Sequence, residues 1–300
     1  KYRGEFNQVI GKNDLVLNTA FVNPTLNSFF GLGNQSVYDK NNDISFYRVR
    51  YKYIEADLLL RKRLNDILQV SVGPSYYQYW NKFKDNKDRI LGKPTLQGID
   101  SASIYSQKNY LGLKAKLDIN FINNELFPSR GITWFTEFSS LYGVNKNSNN
   151  ITKLQSDMTI YAKVSDLSRM STVLRFGAGK IYSKNYEYFQ ALTLGANNYL
   201  RGFRKDRFSG SSMVYGSAEL RYKLFRLKSH ILPGDVGVLG FYDIGRVWKK
   251  GESSQKWHNS TGGGIYFVPF NMVMVSATLG ISEEDKLFNF TLGTKFNLTF

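Results

Sequence analysis

The most constraining feature of this sequence is a two-residue alternation of apolar and polar side chains over long runs. In segment 110–122 the two faces are Leu111, Leu113, Ala115, Leu117, Ile119 and Phe121 against Lys114, Lys116, Asp118 and Asn120. Similar alternation runs through 152–164 and 214–224. Because successive side chains of a strand point to opposite faces, the pattern predicts strands with one apolar face. Many runs reach about 11 to 14 residues, whereas globular strands typically have about 5 or 6 and tilted barrel strands need roughly 9 to 11.

These runs predict an all-β fold, a transmembrane antiparallel up-and-down β-barrel of about 14 strands over residues 1–300. The predicted strands are 2–10, 14–22, 27–38, 46–62, 66–80, 108–122, 131–142, 151–164, 170–182, 212–225, 235–248, 258–268, 272–281 and 287–300. The apolar parity flips within 46–62, which a bulge near Tyr53 would explain. A membrane helix would need roughly 18 consecutive apolar residues, and no segment has them.

The predicted connections alternate between short and long, as they do in outer-membrane barrels with short periplasmic turns and long extracellular loops. The short ones are 23–26, 64–65, 123–130, 165–169 and 269–271, and the long or highly polar ones are 39–45, 81–107, 143–150, 183–211 and 249–257. Only 226–234 departs mildly from this rule. Trp80, Trp248 and Trp257 fall at predicted extracellular strand ends, which is typical of an interfacial aromatic girdle. Together these features favour an integral outer-membrane protein over a soluble β-sandwich.

Composition narrows the possible functions. The formal charge is +16, but the basic residues are spread along strands and loops without a nucleic-acid motif, so we expect no nucleic-acid partner. There is no cysteine, and the two histidines, His230 and His258, lack metal-ligand spacing and are predicted to be solvated loop residues. No nucleophile or phosphate-loop motif is present. We therefore predict no catalytic residue, no metal site, no cofactor and no enzymatic activity.

Three segments resemble motifs of the BamA and TamA superfamily of outer-membrane assembly barrels. In the connection 183–211, Leu200-Arg201-Gly202-Phe203 resembles the Val/Leu/Ile-Arg-Gly-Phe/Tyr tetrad of the sixth extracellular loop. Downstream, Phe241-Tyr242-Asp243-Ile244-Gly245 matches the family's Phe-x-Asp-x-Gly strand motif, and upstream Phe127-Pro128-Ser129-Arg130-Gly131 resembles its Phe-Pro-x-x-Gly turn. The resemblance covers essentially the whole chain and is strongest after residue 108.

The resemblance implies that connection 183–211 folds into the lumen and that Arg201 meets Asp243 there. Strand parity adds Glu219 as a second acceptor, because both carboxylates are predicted on inward faces of adjacent strands. An unpaired guanidinium in a confined lumen would be costly, so a charge-assisted pair is expected. The motif also places Phe241 and Gly245 at the lumen. We expect Gly202 to permit a tight turn and Phe203 to wedge between the loop and the wall.

The last predicted strand carries Gly293 and ends at Phe300, and the family's proposed lateral gate lies between the first and last strands. Gly293 would either weaken that strand or be an ordinary barrel glycine. Family barrels have 16 strands, so either a first hairpin is missing or this barrel is smaller. The chain begins Lys1-Tyr2-Arg3 without an initiator methionine or signal stretch, which predicts a mature or excised fragment.

The leading functional hypothesis is outer-membrane protein insertion or protein translocation. Its implied partners are outer-membrane lipid, unfolded outer-membrane or secreted polypeptides, and periplasmic domains or accessory lipoproteins. The alternative is a membrane anchor or export barrel for an N-terminal lipase-like or phosphoesterase-like domain, which would lie before Lys1. A third reading is a passive porin with a cationic lumen.

Overall fold

The fold is described by a computed structural model of residues 1–93, 101–125, 127–163, 165, 167–196, 200–270 and 273–294. Within these ranges there are seventeen strands, numbered in chain order: β1 (Tyr2–Ile10), β2 (Asn13–Val22), β3 (Asn27–Ser28), β4 (Arg48–Val49), β5 (Lys52–Arg63), β6 (Leu68–Trp80), β7 (Lys108–Ile122), β8 (Gly131–Gly143), β9 (Ile151–Ala162), β10 (Met170–Ile181), β11 (Leu192–Leu194), β12 (Phe208–Gly210), β13 (Ser212–Leu227), β14 (Gly234–Trp248), β15 (His258–Pro269), β16 (Val273–Ser282) and β17 (Lys286–Thr294). Short helical turns occupy Ile44–Tyr47, Phe83–Asn86, Ile90–Gly92, Ser101–Ile104 and Tyr188–Gln190.

Thirteen of these strands form one antiparallel sheet in the order β1-β2-β5-β6-β7-β8-β9-β10-β13-β14-β15-β16-β17. Two small pairs, β3 with β4 and β11 with β12, lie outside it in the connections. The predicted all-β antiparallel class is thus confirmed. No helix in the described part of the chain is both long and apolar enough to cross a membrane.

The two faces of the sheet differ as the alternation predicts. On β7, Leu111 and Leu113 are 53% and 58% exposed, whereas Lys114 is only 6% exposed and pairs with Asp57 and Glu55 on β5. Exposed Phe121, Phe138, Phe176, Tyr242 and Phe288 continue the apolar outer face on other strands. A water-soluble protein would bury these rings and expose the charges, so this inside-out distribution requires an apolar solvent.

The connections are sorted by length between the two ends of the sheet. The three longest, 23–51, 81–107 and 182–211, all lie at one end, together with 144–150, 249–257 and 283–285. The other end carries 11–12, 64–67, 123–130, 163–169, 228–233 and 270–272. Trp80, Trp248 and Trp257 lie beside the long connections, which marks that end as extracellular.

The predicted strand 27–38 is wrong, as is the predicted bulge near Tyr53. Only Asn27–Ser28 is extended, and it pairs with Arg48–Val49 rather than with the sheet. The pairing of β5 with β2 is regular through Tyr53. The apolar parity within 46–62 flips because the residues before Lys52 belong to an extracellular connection, whereas β5 of the sheet begins at Lys52. Residues 23–51 are therefore one long extracellular connection, and the predicted turn 23–26 does not exist.

An aromatic cluster explains why sequence periodicity failed there. Residues of connection 23–51 pack with rings from β6 and from connection 182–211, and the buried members are Phe29, Phe30, Tyr47, Val49, Tyr51, Tyr79, Ile90, Leu91, Ile104 and Tyr188. Phe189 stacks on Tyr79 with ring centroids 3.9 Å apart. Burial in this extracellular cluster, rather than contact with lipid, accounts for most of the aromatic residues of 29–51.

Candidate functional site: the loop arginine and the sheet wall

The connection 182–211 is folded back against the inner face of the sheet. Its β11 and β12 form a small hairpin in which Leu192 pairs with Gly210 and Leu194 with Phe208. The tetrad follows residues 197–199, which lie outside the described part. Phe203 N donates to the Leu200 carbonyl at 2.9 Å, which closes a turn around Arg201 and Gly202. Leu200 and Phe203 are both completely buried.

Arg201 makes hydrogen bonds to side chains on two adjacent strands. Its Nε and Nη2 donate to Oδ2 and Oδ1 of Asp243 at 2.9 and 2.7 Å, a bidentate pair. Nη1 donates to Glu219, and Nη2 also donates to Ser217 Oγ at 3.1 Å. The backbone N–H of Arg201 adds a bond to Asp243 Oδ2 at 3.1 Å. The structure thus brings together Arg201, Asp243 and Glu219, the three residues that the motifs and parity single out.

A second arginine balances the charge. Arg221, 4% exposed, donates from Nε to Glu219 Oε1 at 2.7 Å, so Glu219 accepts from a guanidinium on each oxygen. We call Arg201, Glu219, Arg221 and Asp243 the arginine cluster; its formal charges cancel. Burial alone would lower the pKa of Arg201, but the hydrogen bonds to Asp243 and the charges of both carboxylates outweigh burial and raise it.

The ring of Phe241 lies against the guanidinium of Arg201. The Arg201 guanidinium carbon lies 3.5 Å from the centroid of the Phe241 ring. The ring occupies space that Gly262 on β15 leaves open, since a Cβ at Gly262 would come within 2.5 Å of it. The planar guanidinium therefore stacks on a ring while its edge bonds carboxylates, a geometry that lysine cannot reproduce.

The tetrad backbone lies directly against β15, β16 and β17, and no sequence motif indicates these contacts. A Cβ at Gly202 would come within 2.7 Å of Ser260 Cβ, and one at Gly280 within 2.5 Å of the Arg201 carbonyl oxygen. Gly202 does lie in a turn, but its φ is not left-handed; glycine is needed for close approach. Ser282 Oγ donates to the Gly202 carbonyl at 2.7 Å, and Asn289 Nδ2 donates to the Arg201 carbonyl at 2.9 Å.

Phe203 packs in a group of aromatic rings that includes His258, and the prediction that His258 is a solvated loop residue is wrong. It contacts Phe208 and His258 with centroids 5.2 and 5.7 Å apart, and Phe208 stacks on His258 at 3.7 Å. His258 is 3% exposed and its Nε2 is 2.9 Å from the Asn34 carbonyl, so it is not a solvated loop residue. His230 is exposed, as predicted. Spacing along the chain could not show that an aromatic sandwich covers the start of β15.

The other predicted residues have simpler surroundings. Gly245 leaves room for the loop, because a Cβ there would come within 3.0 Å of Leu194. Gly293 pairs with Met274 in regular register, and a Cβ there would meet nothing closer than 3.7 Å. Phe300 lies outside the described residues. Within the described part, no group of three or more His, Asp or Glu side chains converges as a metal ion would require.

Comparison with known proteins decides the family. The sequence profile of the Omp85 superfamily domain matches residues 3–296. The chain belongs to the Omp85 superfamily. It is an integral outer-membrane β-barrel, as the alternation and the loop pattern predict. No curated protein matches it significantly in sequence.

Solved Omp85 structures share the fold at low sequence identity. BamA from Haemophilus ducreyi lacking POTRA domains 1-3 superposes with a TM-score of 0.66 at 15% identity, covering 94% of this chain and 59% of that one. CdiB from Acinetobacter baumannii gives 0.57 at 13% identity, with 95% and 48% covered. CdiB from Escherichia coli gives 0.55 at 13%, with 93% and 48% covered. The chain thus spans about half to three fifths of these relatives.

Proposed function

We propose that this Omp85 barrel inserts polypeptides into, or translocates them across, the bacterial outer membrane. The observation that carries the proposal is the arginine cluster, which fastens an extracellular loop to the lumen face of β13 and β14. Through Ser282 and Asn289 the same loop also touches β16 and β17. Because β17 is the last strand of the sheet in the described part of the chain, the loop fastens the strand next to which an incoming strand would pair.

In this mechanism the protein performs no covalent chemistry. The outer face contacts lipid, the edge strand offers unpaired backbone groups to an unfolded polypeptide, and the loop holds the resting shape of the wall. Periplasmic domains or accessory lipoproteins would deliver the polypeptide. We expect Asn289 to transmit a movement of the loop to β17, because its side chain bonds the Arg201 carbonyl directly.

The extracellular cap argues against a passive porin. The aromatic cluster joins connections 23–51, 81–107 and 182–211 across the extracellular end. Lys108 on β7, completely buried, pairs with Glu187 of the loop at 2.7 Å. Such a cover predicts small, fluctuating conductance in planar bilayers, whereas a porin would show large and steady anion-selective conductance.

The decisive experiment is reconstitution. The complete protein in proteoliposomes should accelerate the folding of an outer-membrane protein that has been unfolded in urea. Folding is measured as the gain of protease resistance by that substrate. Liposomes holding the Arg201→Ala variant provide the matched control and should accelerate less. Equal folding rates in protein-free and protein-containing liposomes would reject the insertion mechanism and leave the role of a carrier barrel for another domain.

A further inference from the structure

A periplasmic turn contacts the inner wall on the far side of the sheet. Phe127, in the connection 123–130 between β7 and β8, lies with its ring centroid 5.2 Å from that of Tyr266 on β15. The same ring lies 5.0 Å from the guanidinium carbon of Arg221 on β13. Since β9 and β10 separate β8 from β13 in the sheet, these contacts cross the interior rather than join neighbouring strands. Phe127 also packs against the cluster of Leu239, Phe241, Tyr266 and Val268.

Local hydrogen bonds hold the turn in this inward shape. Asn123 Oδ1 accepts from the backbone N–H groups of Ser129 and Arg130, both at 3.0 Å, and Asn124 Oδ1 accepts from Phe127 N at 3.0 Å. Gly131 follows with φ of +120°, where a Cβ would come within 2.0 Å of the Phe121 carbonyl oxygen. The residues of the Phe-Pro-x-x-Gly segment thus serve to present one ring to the lumen.

The ring of Phe127 contacts Arg221, a member of the arginine cluster, directly. Arg221, against which Phe127 lies, donates to Glu219, and Glu219 accepts from Arg201. A second route runs through the wall, because Phe241 belongs to the cluster that Phe127 covers and also lies under Arg201. Arg221, which acts on Arg201 through Glu219, and Phe241, which lies under Arg201, therefore both lie next to Phe127 of the periplasmic turn.

We propose that Phe127 is a positioning residue for Arg201, so that the periplasmic mouth of the barrel controls how firmly the extracellular loop is fastened. With its ring in place, Arg221 is shielded from water on one face and directed at Glu219. Displacement of the ring by an entering polypeptide hydrates Arg221, weakens its bond to Glu219 and loosens Arg201. This inference rests on the proposed role of the Arg201 loop and adds the input that releases it.

Thiol labelling can measure release of the loop, because the chain has no cysteine. Ser260 is 1% exposed and is covered by Gly202, so a Ser260→Cys variant reacts with a maleimide only when the tetrad lifts. In the folded barrel in proteoliposomes, Phe127→Ala should raise the labelling rate about tenfold, equivalent to about 1.4 kcal/mol. The matched control is Phe121→Ala, which removes an outward ring 59% exposed near the same end of β7 and should leave the rate unchanged.

Double variants separate coupling from simple unplugging of the periplasmic mouth. Arg201→Ala alone should raise labelling of Ser260→Cys, which tests the fastening of the loop independently. If Phe127 acts through Arg201, Phe127→Ala should add almost nothing in the Arg201→Ala background. An undiminished tenfold rise in that background, or no rise from Phe127→Ala when Arg201→Ala does raise the rate, would overturn the coupling and leave the loop fastening intact.

Phe127→Leu guards against misfolding of the alanine variant. Leucine keeps most of the apolar volume against Tyr266 but offers no ring face to Arg221. We expect it to raise the labelling rate about threefold, less than alanine but clearly above wild type. A rate equal to that of wild type would show that volume alone matters and would reject the role of Arg221.

Discussion

Replacing Arg201 by alanine should measurably destabilise the folded barrel. The substitution leaves Asp243 completely buried without its bidentate partner and removes one of the two guanidinium groups that donate to Glu219. Removing one member of a buried ion pair typically costs about 3 to 5 kcal/mol. The Arg201 side chain is 13% exposed, so water can partly rehydrate the carboxylates and we take the lower value, about 3 kcal/mol.

That free energy corresponds to a clear change in heat resistance. At about 2 to 4 °C per kcal/mol for chains of a few hundred residues, about 3 kcal/mol lowers the midpoint by roughly 6 to 12 °C. The assay is the temperature at which the compact, folded band on a detergent gel converts to the unfolded band. Arg201→Lys keeps the charge but loses the bidentate geometry and the stacking on Phe241, so it should fall between alanine and wild type.

Arg204 provides the matched control in the same loop. It pairs with Asp285 at 3.2 Å, with the two side chains 33% and 25% exposed. Pairs this exposed contribute about 0 to 1 kcal/mol, so Arg204→Ala should lower the midpoint by no more than about 4 °C. If Arg201 and Asp243 act as one unit, Arg201→Ala with Asp243→Ala should lower it little more than either alone. A double variant whose loss equals the sum of the single losses would refute the pairing.

Three further predictions concern the packing around the loop. Gly280→Ala should dislodge the tetrad and raise protease cleavage in connection 182–211, since its Cβ would lie 2.5 Å from the Arg201 carbonyl; Gly240→Ala, with nothing closer than 3.8 Å, should not. Asn34→Ala should lower the free energy of unfolding by about 2 to 3 kcal/mol, because this buried side-chain amide makes hydrogen bonds with Ser254 Oγ, the Lys256 carbonyl and Val247 N. An unchanged heat-resistance midpoint would contradict this. A hydrogen bond from Lys256 lowers the pKa of Glu283. The stability that this pair contributes is therefore present above the ordinary carboxyl pKa and is lost as pH falls through the lowered pKa of Glu283. Heat-resistance midpoints measured from pH 6 to pH 3 should show this small loss, and Glu283→Gln should abolish it.

The sequence alone determined the class of the fold and which face of the long strands is apolar. Period-two alternation reports the face of each strand directly, which is why Lys114 was correctly placed inside and Leu111 outside. Parity also brought Glu219 and Asp243 to one face, because register in an antiparallel pair follows from the alternation.

Tertiary structure decided whatever depends on contacts between connections. Phe29 and Phe30 belong to the segment predicted as strand 27–38, yet they are buried in the aromatic cluster at the extracellular end. The sequence around His258 predicts a solvated loop residue, but in the structure Phe208 stacks on its ring. The sequence around Asn289 and Gly280 likewise gives no sign that both residues touch Arg201. Such contacts join residues far apart in sequence, and periodicity describes only the direction of a side chain from its own strand. What that side chain meets there depends on which loop folds back onto the wall.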